Sequence, residues 1–139
     1  MVNMNEVINE TNQRKFSFAL RLKSFTYAWS GLKTVFLTEH NSRIHLAVTI
    51  CMLALSIIFK VTIPEFSLLI IATAMVWMAE LFNTCIEKIM DFLSTEKHPQ
   101  IKRIKDMAAA AVLLASFVAL IVGAIIFIPK ILNHVPFSG

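Results

Sequence analysis

Residues 66–91 read FSLLIIATAMVWMAELFNTCIEKIMD, an apolar run to Ile86 broken by one charge, Glu80, and then acidic again at Glu87 and Asp91. A stretch of about 20 predominantly apolar residues is what an α-helix needs to cross a bilayer. Two more runs flank it. Residues 46–63 are interrupted only by Lys60, and residues 107–129 carry no charge at all. Hydrophobic residues make up 57% of the 139-residue chain and mean hydropathy is +0.70, well beyond what soluble domains show. With only 3 Gly and 4 Pro, the chain is neither β-rich nor disordered as a whole. The reading is an all-α integral membrane protein of three transmembrane helices, with spans at 46–63, 66–86 and 107–129.

The basic residues orient these spans. Arg14, Lys15, Arg21, Lys23, Lys33 and Arg43 precede the first, and Lys88, Lys97, Lys102, Arg103 and Lys105 lie between the second and third. Only Lys60 and Lys130 fall on the opposite side. By the positive-inside rule the N-terminus and the second loop are cytoplasmic and the C-terminus is outside. The net charge of +4 therefore flanks membrane spans, which argues against nucleic acid as a partner. Residues 1–15 read as a disordered cytoplasmic tail without the apolar core of a signal peptide. In residues 16–37, Phe18, Leu22, Phe25, Trp29, Leu32 and Phe36 recur at steps of three and four, on one helical face bordered by Lys15 and Lys33. Such a helix lies in the membrane interface or packs on protein at the edge of a bundle. The main domain is then 16–130, with a tight outer turn at 60–65, a charged cytoplasmic loop at 94–105 and a short outer tail at 131–139. Cys51 and Cys85 stand alone in apolar runs and read as small buried hydrophobes.

The chemistry is expected where acids are costly. Glu80, Asn83, Glu87 and Asp91 follow one another at spacings of three, four and four, which places them along one arc of a helix. A carboxylate at membrane depth costs a few kcal/mol on insertion scales, so it needs a partner, a proton or a task. Glu80 suits a general base; the alternative is that Glu80 and Asn83 only join helices by hydrogen bonds. Glu39 lies just before the first span, and Lys105 and Asp106 where the third begins, so each span presents an acid at similar depth. Carboxylates from separate helices suit Mg²⁺, which usually takes one or two together with phosphate oxygens. Lysine offers phosphate a point charge, although Lys105 alone would read as a snorkelling anchor. Neither GxxxxGK[ST] nor GxGxxG occurs, so a nucleotide would have to be held by side chains and metal. His40, His45, His98 and His134 have no zinc spacing.

Residues 80–91 (ELFNTCIEKIMD), followed by residues 105–112 (KDMAAAAV), resemble the bacterial diacylglycerol kinase family of small trimeric membrane kinases, which includes undecaprenol kinases. Glu96 and His98 match the family's E-x-H turn, and Tyr27, Trp29, Gly31, Leu32 and Glu39 its Y-x-W-x-G-L…E segment. The resemblance covers roughly residues 20–130. It implies ATP as co-substrate, Mg²⁺ as cofactor, a lipid alcohol as acceptor, a bacterial inner membrane and a homotrimer with sites completed between subunits. It implies Glu80 as general base, with Asn83 and Asp91 supporting it, and Glu39 and Glu87 as metal ligands that also meet ATP. Tyr27, Glu96, Lys97, His98, Lys105 and Asp106 align with nucleotide contacts. Trp29, Arg43, Glu80 and Ala109 align with the lipid. Two departures stand out: Ala108 and Ala109 replace a Gly-Ser pair, and Leu20, beside Arg21, stands where the family has an arginine. The expected acceptor is diacylglycerol, with undecaprenol as the alternative because Asn41, Ile44 and His45 match that branch's N-x-x-I-H. A structural subunit without chemistry and a proton-relay transporter are the rival classes; a transporter would favour inverted repeats and broken spans, which do not occur here.

Overall fold

The computed structural model describes residues 18–94, 96 and 98–134. The expected tail at 1–15, most of the outer tail and Lys97 lie outside these. The described residues form four helices and no strand: α1 (Phe18–Thr38), α2 (His40–Ile58), α3 (Ile63–Leu93) and α4 (Pro99–His134). The chain divides into two compact units, Met1–Leu37 and Thr38–Gly139. The first contains the helix expected over 16–37. The second contains α2, α3 and α4, each long and apolar enough to cross a membrane.

Each of these three helices overruns its apolar run. α2 starts at His40, α3 continues to Leu93 and α4 starts at Pro99. Backbone hydrogen bonding continues into the polar residues that flank the apolar core. At its other end α2 stops short of the expected 63, and the reason is local. Lys60 takes a left-handed backbone with φ 48°. The Lys60 N–H then donates to the Ile57 carbonyl at 3.2 Å and the Val61 N–H to that of Ser56 at 3.0 Å. This is the Schellman arrangement, normally built on glycine, and it satisfies carbonyls that would otherwise be orphaned at the helix end. α3 begins at once. The Glu65 carboxylate accepts from the Thr62 backbone N–H at 2.8 Å and from its hydroxyl at 2.7 Å, one arm of a capping box. Pro64, in the first turn, has no N–H to leave unpaired. Lys130 of α4 reaches Glu65 at 3.0 Å, closing this end of the unit.

α3 packs extensively on α4 and lightly on α2. Near the α2–α3 turn the contact is apolar: Met52, Leu69, Ile126 and Phe127 are buried together. Towards the other end the buried side chains are polar, with Ser42 at 0% exposure, Glu80 and Thr84 at 2% and Asn83 at 6%. Large apolar side chains such as Ile57, Ile63, Phe82 and Phe117 point outward. This inverts the pattern of a water-soluble core and follows from lipid as solvent: apolar side chains lose nothing by facing acyl chains, while polar ones must find each other. The same physics corrects the expectation for Cys51 and Cys85, both exposed on the isolated chain. An apolar side chain in a span has no need of protein burial.

Candidate functional site

The polar end of the second unit is built on α3. Burial falls along the predicted stripe, from Glu80 and Asn83, which are buried, through half-buried Glu87 to exposed Asp91. One helix thus carries four polar side chains from the protein interior out to the membrane boundary. Each is matched differently. Glu80 Oε1 accepts from the Ser42 hydroxyl of α2 at a long 3.4 Å. Glu80 Oε2 and Asn83 Oδ1 are buried with no hydrogen-bond partner among the described residues. Asn83 Nδ2 donates to Glu87 Oε1 at 3.2 Å. Asp91 Oδ1 accepts from Lys105 of α4 at 2.7 Å. Leaving a buried polar atom unpaired costs about 1–3 kcal/mol, more for a charged group, and such groups concentrate where a ligand or a reaction uses them.

The two orphaned atoms belong to side chains that line one cavity of about 230 Å³, shared with Asn41 of α2 and with Ala109, Val112, Leu113 and Ser116 of α4. Ser116 also borders a second, apolar groove of about 560 Å³ that runs among the three helices past His45, Val76, Trp77 and Leu120 to Phe127 and Ile128. A cavity that holds the buried carboxylate therefore adjoins a larger apolar groove, with Ser116 on the wall of both. Small-molecule sites are generally of this kind, mostly apolar with a few convergent polar groups.

Glu39 caps α2 in extended backbone, and its Oε1 accepts from Lys88 Nζ and from the Thr38 hydroxyl, both at 2.9 Å. The Lys88 ammonium, helped by that hydroxyl, holds the Glu39 carboxyl below the usual carboxylate range. Lys88 follows Glu87 in α3, so Glu39 is tied to the turn of α3 that carries Glu87. Among the described residues no group of three or more His, Cys, Asp or Glu side chains could hold an ion alone. Mg²⁺ usually takes one or two carboxylates together with phosphate oxygens, a donor type that Glu39 and Glu87 would offer.

The remaining predicted residues are placed as follows. Ala109 lines the Glu80 cavity. Arg43 is exposed in the first turn of α2. Asp106 pairs with Lys102 one turn away on α4. His98 Nδ1 accepts from the Gln100 N–H at 3.2 Å and so caps α4, and the Glu96 N–H donates to the Ser94 hydroxyl at 3.1 Å. Tyr27 and Trp29 lie on α1, in the first unit, and Lys97 is outside the described residues. Sequence reasoning missed Asn41, Ser42, His45 and Ser116 as members of the site. Ser42 and His45 lie three apart, and Ala109, Val112 and Ser116 share a helical face, but nothing in the sequence shows which faces meet.

The structure thus defines a class, a helical membrane protein with a buried acid at the meeting point of a polar cavity and an apolar groove. Comparison with known proteins makes it specific. Residues 26–127 match the sequence family described as prokaryotic diacylglycerol kinase. A diacylglycerol kinase of Synechocystis is 33% identical over 113 residues, 81% of this chain and 65% of that protein. The undecaprenol kinase of Bacillus subtilis is 32% identical over 109 residues, 78% of this chain and 89% of that protein. An Escherichia coli diacylglycerol kinase is 35% identical over 115 residues, again 78% and 89%. The chain spans just under two thirds of the Synechocystis relative's length. It belongs to the prokaryotic diacylglycerol kinase family.

Proposed function

We propose that this membrane protein transfers the γ-phosphate of ATP to the primary hydroxyl of diacylglycerol at the cytoplasmic face of a bacterial inner membrane, giving phosphatidic acid. Lipid kinase activity as such is supported by the family and by relatives named diacylglycerol kinase and undecaprenol kinase. The observation that carries the reading is Glu80, a 2%-exposed carboxylate with one oxygen unpartnered among the described residues, at a cavity that adjoins an apolar groove. A lipid hydroxyl cannot leave the interface, so a base must wait for it at this depth.

In this reading Glu80 Oε2 takes the proton of the lipid hydroxyl as its oxygen attacks the γ-phosphorus, and ADP leaves in line. Ser42 holds Glu80 through Oε1, and Asn83 holds Glu87. Glu39 and Glu87 would hold the Mg²⁺ that accompanies ATP, and the ion would supply neutralisation of phosphate charge. Lys105, steadied by Asp91, adds a point charge at the boundary, and Tyr27, Glu96, Lys97, His98 and Asp106 complete the nucleotide site. Trp29, Arg43 and Ala109 meet the lipid, with Asp91 and Asn83 supporting the catalytic stripe. α1 lies in the interface as an amphipathic helix. Each site is completed between subunits, since three spans leave the apolar groove open along one chain, and the family resemblance implies that the assembly is a trimer. The N-terminus and the 94–105 loop are cytoplasmic and the C-terminus is outside, as the placement of Lys and Arg supports.

A second acceptor, undecaprenol, is favoured by two observations. One relative is an undecaprenol kinase. Ala109, on the wall of the Glu80 cavity, offers no hydrogen bond to the ester oxygens of a glycerolipid. The test is competition between diacylglycerol and undecaprenol at equal mole fraction in mixed micelles. Preference for diacylglycerol by tenfold or more, worth about 1.4 kcal/mol, supports the first reading. The reverse preference replaces it with the second.

A further inference from the structure

The structure assigns His45 a part in the reaction: we propose that it is the proton partner of Glu80, taking from the buried carboxyl group the proton that the lipid hydroxyl has given up. This rests on the kinase reading above and extends it to a residue that sequence reasoning set aside.

Three observations converge on this histidine. Its Nε2 stands 3.9 Å from Glu80 Oε2, the same oxygen that lacks a hydrogen-bond partner among the described residues. At that separation the two groups are beyond a formed hydrogen bond but within reach of one after a small side-chain rotation, and catalytic contacts are often long before substrate binds. The imidazole is also held in place. The Trp77 ring meets it edge-on, with centroids 6.2 Å apart at 68°. Trp77 Nε1 donates to Thr49 Oγ1 at 3.1 Å, and that hydroxyl donates to the His45 carbonyl at 2.7 Å. α2 and α3 are thereby pinned to each other beside the imidazole. Finally, His45 lines the apolar groove, whereas Glu80 lines the polar cavity next to it. The 3.9 Å between the two side chains thus spans from the groove to the cavity.

The proton count requires such an outlet. Transfer of a phosphoryl group from ATP to an alcohol breaks the O–H bond, forms the new O–P bond, releases ADP and sets one proton free. Glu80 Oε2 receives that proton and becomes a neutral acid, unable to serve the next lipid until it gives the proton up. The remaining lining of its cavity is Asn41, Asn83, Ser116 and apolar side chains, none of them a base. Neutral His45, with Nδ1 protonated and Nε2 free, accepts the proton, regenerates the carboxylate and becomes an imidazolium. With its side chain 19% exposed, the imidazolium then loses its proton to water. Ser42 cannot do this, because its hydroxyl is fully buried and already donates to Oε1.

A histidine that only packed against Trp77 would leave different kinetics. The experiment uses the full-length protein in mixed micelles with saturating Mg²⁺–ATP and lipid, and compares the unaltered chain with His45→Gln and His45→Ala. Glutamine keeps a donor and the approximate volume but cannot take up a proton. We expect His45→Gln to lower kcat by about tenfold or more, the lower range of a proton-transfer contribution, with both KM values within about twofold. Imidazole added to His45→Ala should restore turnover by about fivefold or more in proportion to its unprotonated fraction. A His45→Gln variant within twofold of the unaltered kcat overturns the assignment. So does a variant of reduced kcat whose alanine counterpart is folded and gains nothing from imidazole, which would make His45 structural. If alanine fails to fold, the kcat and KM of His45→Gln decide alone. A chain that phosphorylates no lipid even unaltered fails at the kinase reading itself, and this assignment falls with it. Activity that survives Glu80→Gln places the fault in the base instead.

Discussion

Replacing Glu80 by glutamine should remove activity and at the same time make the protein harder to unfold. Glu80 is 2% exposed, holds one hydrogen bond at 3.4 Å, and has a second oxygen with no partner among the described residues. An unsatisfied buried polar atom costs about 1–3 kcal/mol, and more when charged. Against this stands one long hydrogen bond from Ser42, worth about 1 kcal/mol at most. The folded state therefore carries the carboxylate at a net loss. Glutamine removes the charge but leaves an amide in the same place, so the gain should be about 1 kcal/mol; methionine, with no polar group to satisfy, should gain about 2 kcal/mol. Loss of a general base costs roughly 10²–10⁴ in rate, or about 3–5 kcal/mol of barrier. The assay is paired: unfolding of each variant in mixed micelles with rising denaturing detergent, and phosphate transfer to lipid under native conditions. A Glu80→Gln protein that unfolds about 1 kcal/mol more readily and turns over normally would refute the reasoning. In that case the carboxylate joins helices and does no chemistry.

Other consequences follow from particular contacts. Lys60→Gly should stabilise the protein by about 1 kcal/mol, because Lys60 holds a left-handed backbone that glycine adopts without a Cβ clash; detergent unfolding reads it, and a destabilised variant would contradict the turn. Glu87→Gln should weaken Mg²⁺–ATP binding by about tenfold or more, about 1.4 kcal/mol, while Glu80→Gln leaves it within about twofold; calorimetric titration separates the two. The Lys88 bridge depresses the Glu39 carboxyl, so its contribution is present above the ordinary carboxylate value and is lost as pH falls through the lowered one. Being partly exposed, that contribution should be under about 1 kcal/mol and shrink with salt, and Lys88→Met should abolish it in unfolding measured across pH 3–6.

The three long helices were legible because an apolar run of membrane length has few alternatives, and their termini were not. α2 ends at Ile58 through a left-handed lysine, a position at which neither glycine nor proline gives warning. The polar stripe was legible because spacings of three and four put Glu80, Asn83, Glu87 and Asp91 on one face whatever that face meets. Their partners were not, since Ser42, His45 and Ser116 join the site only through the rotation of α2 and α4 about their own axes. Packing sets that rotation, and a serine in an apolar helix carries no sign of it. Helix packing likewise leaves Cys51 of α2 and Cys85 of α3 exposed, against expectation.

The central claim is that Glu80 directs phosphate from ATP to a lipid hydroxyl. Purified protein in mixed micelles, given Mg²⁺ and ATP labelled in its γ-phosphate, should move label into solvent-extractable lipid when diacylglycerol or undecaprenol is present, and Glu80→Gln should move at least about a hundredfold less. Label that stays in the aqueous phase with folded, ATP-binding protein, or equal labelling by Glu80→Gln, would contradict it.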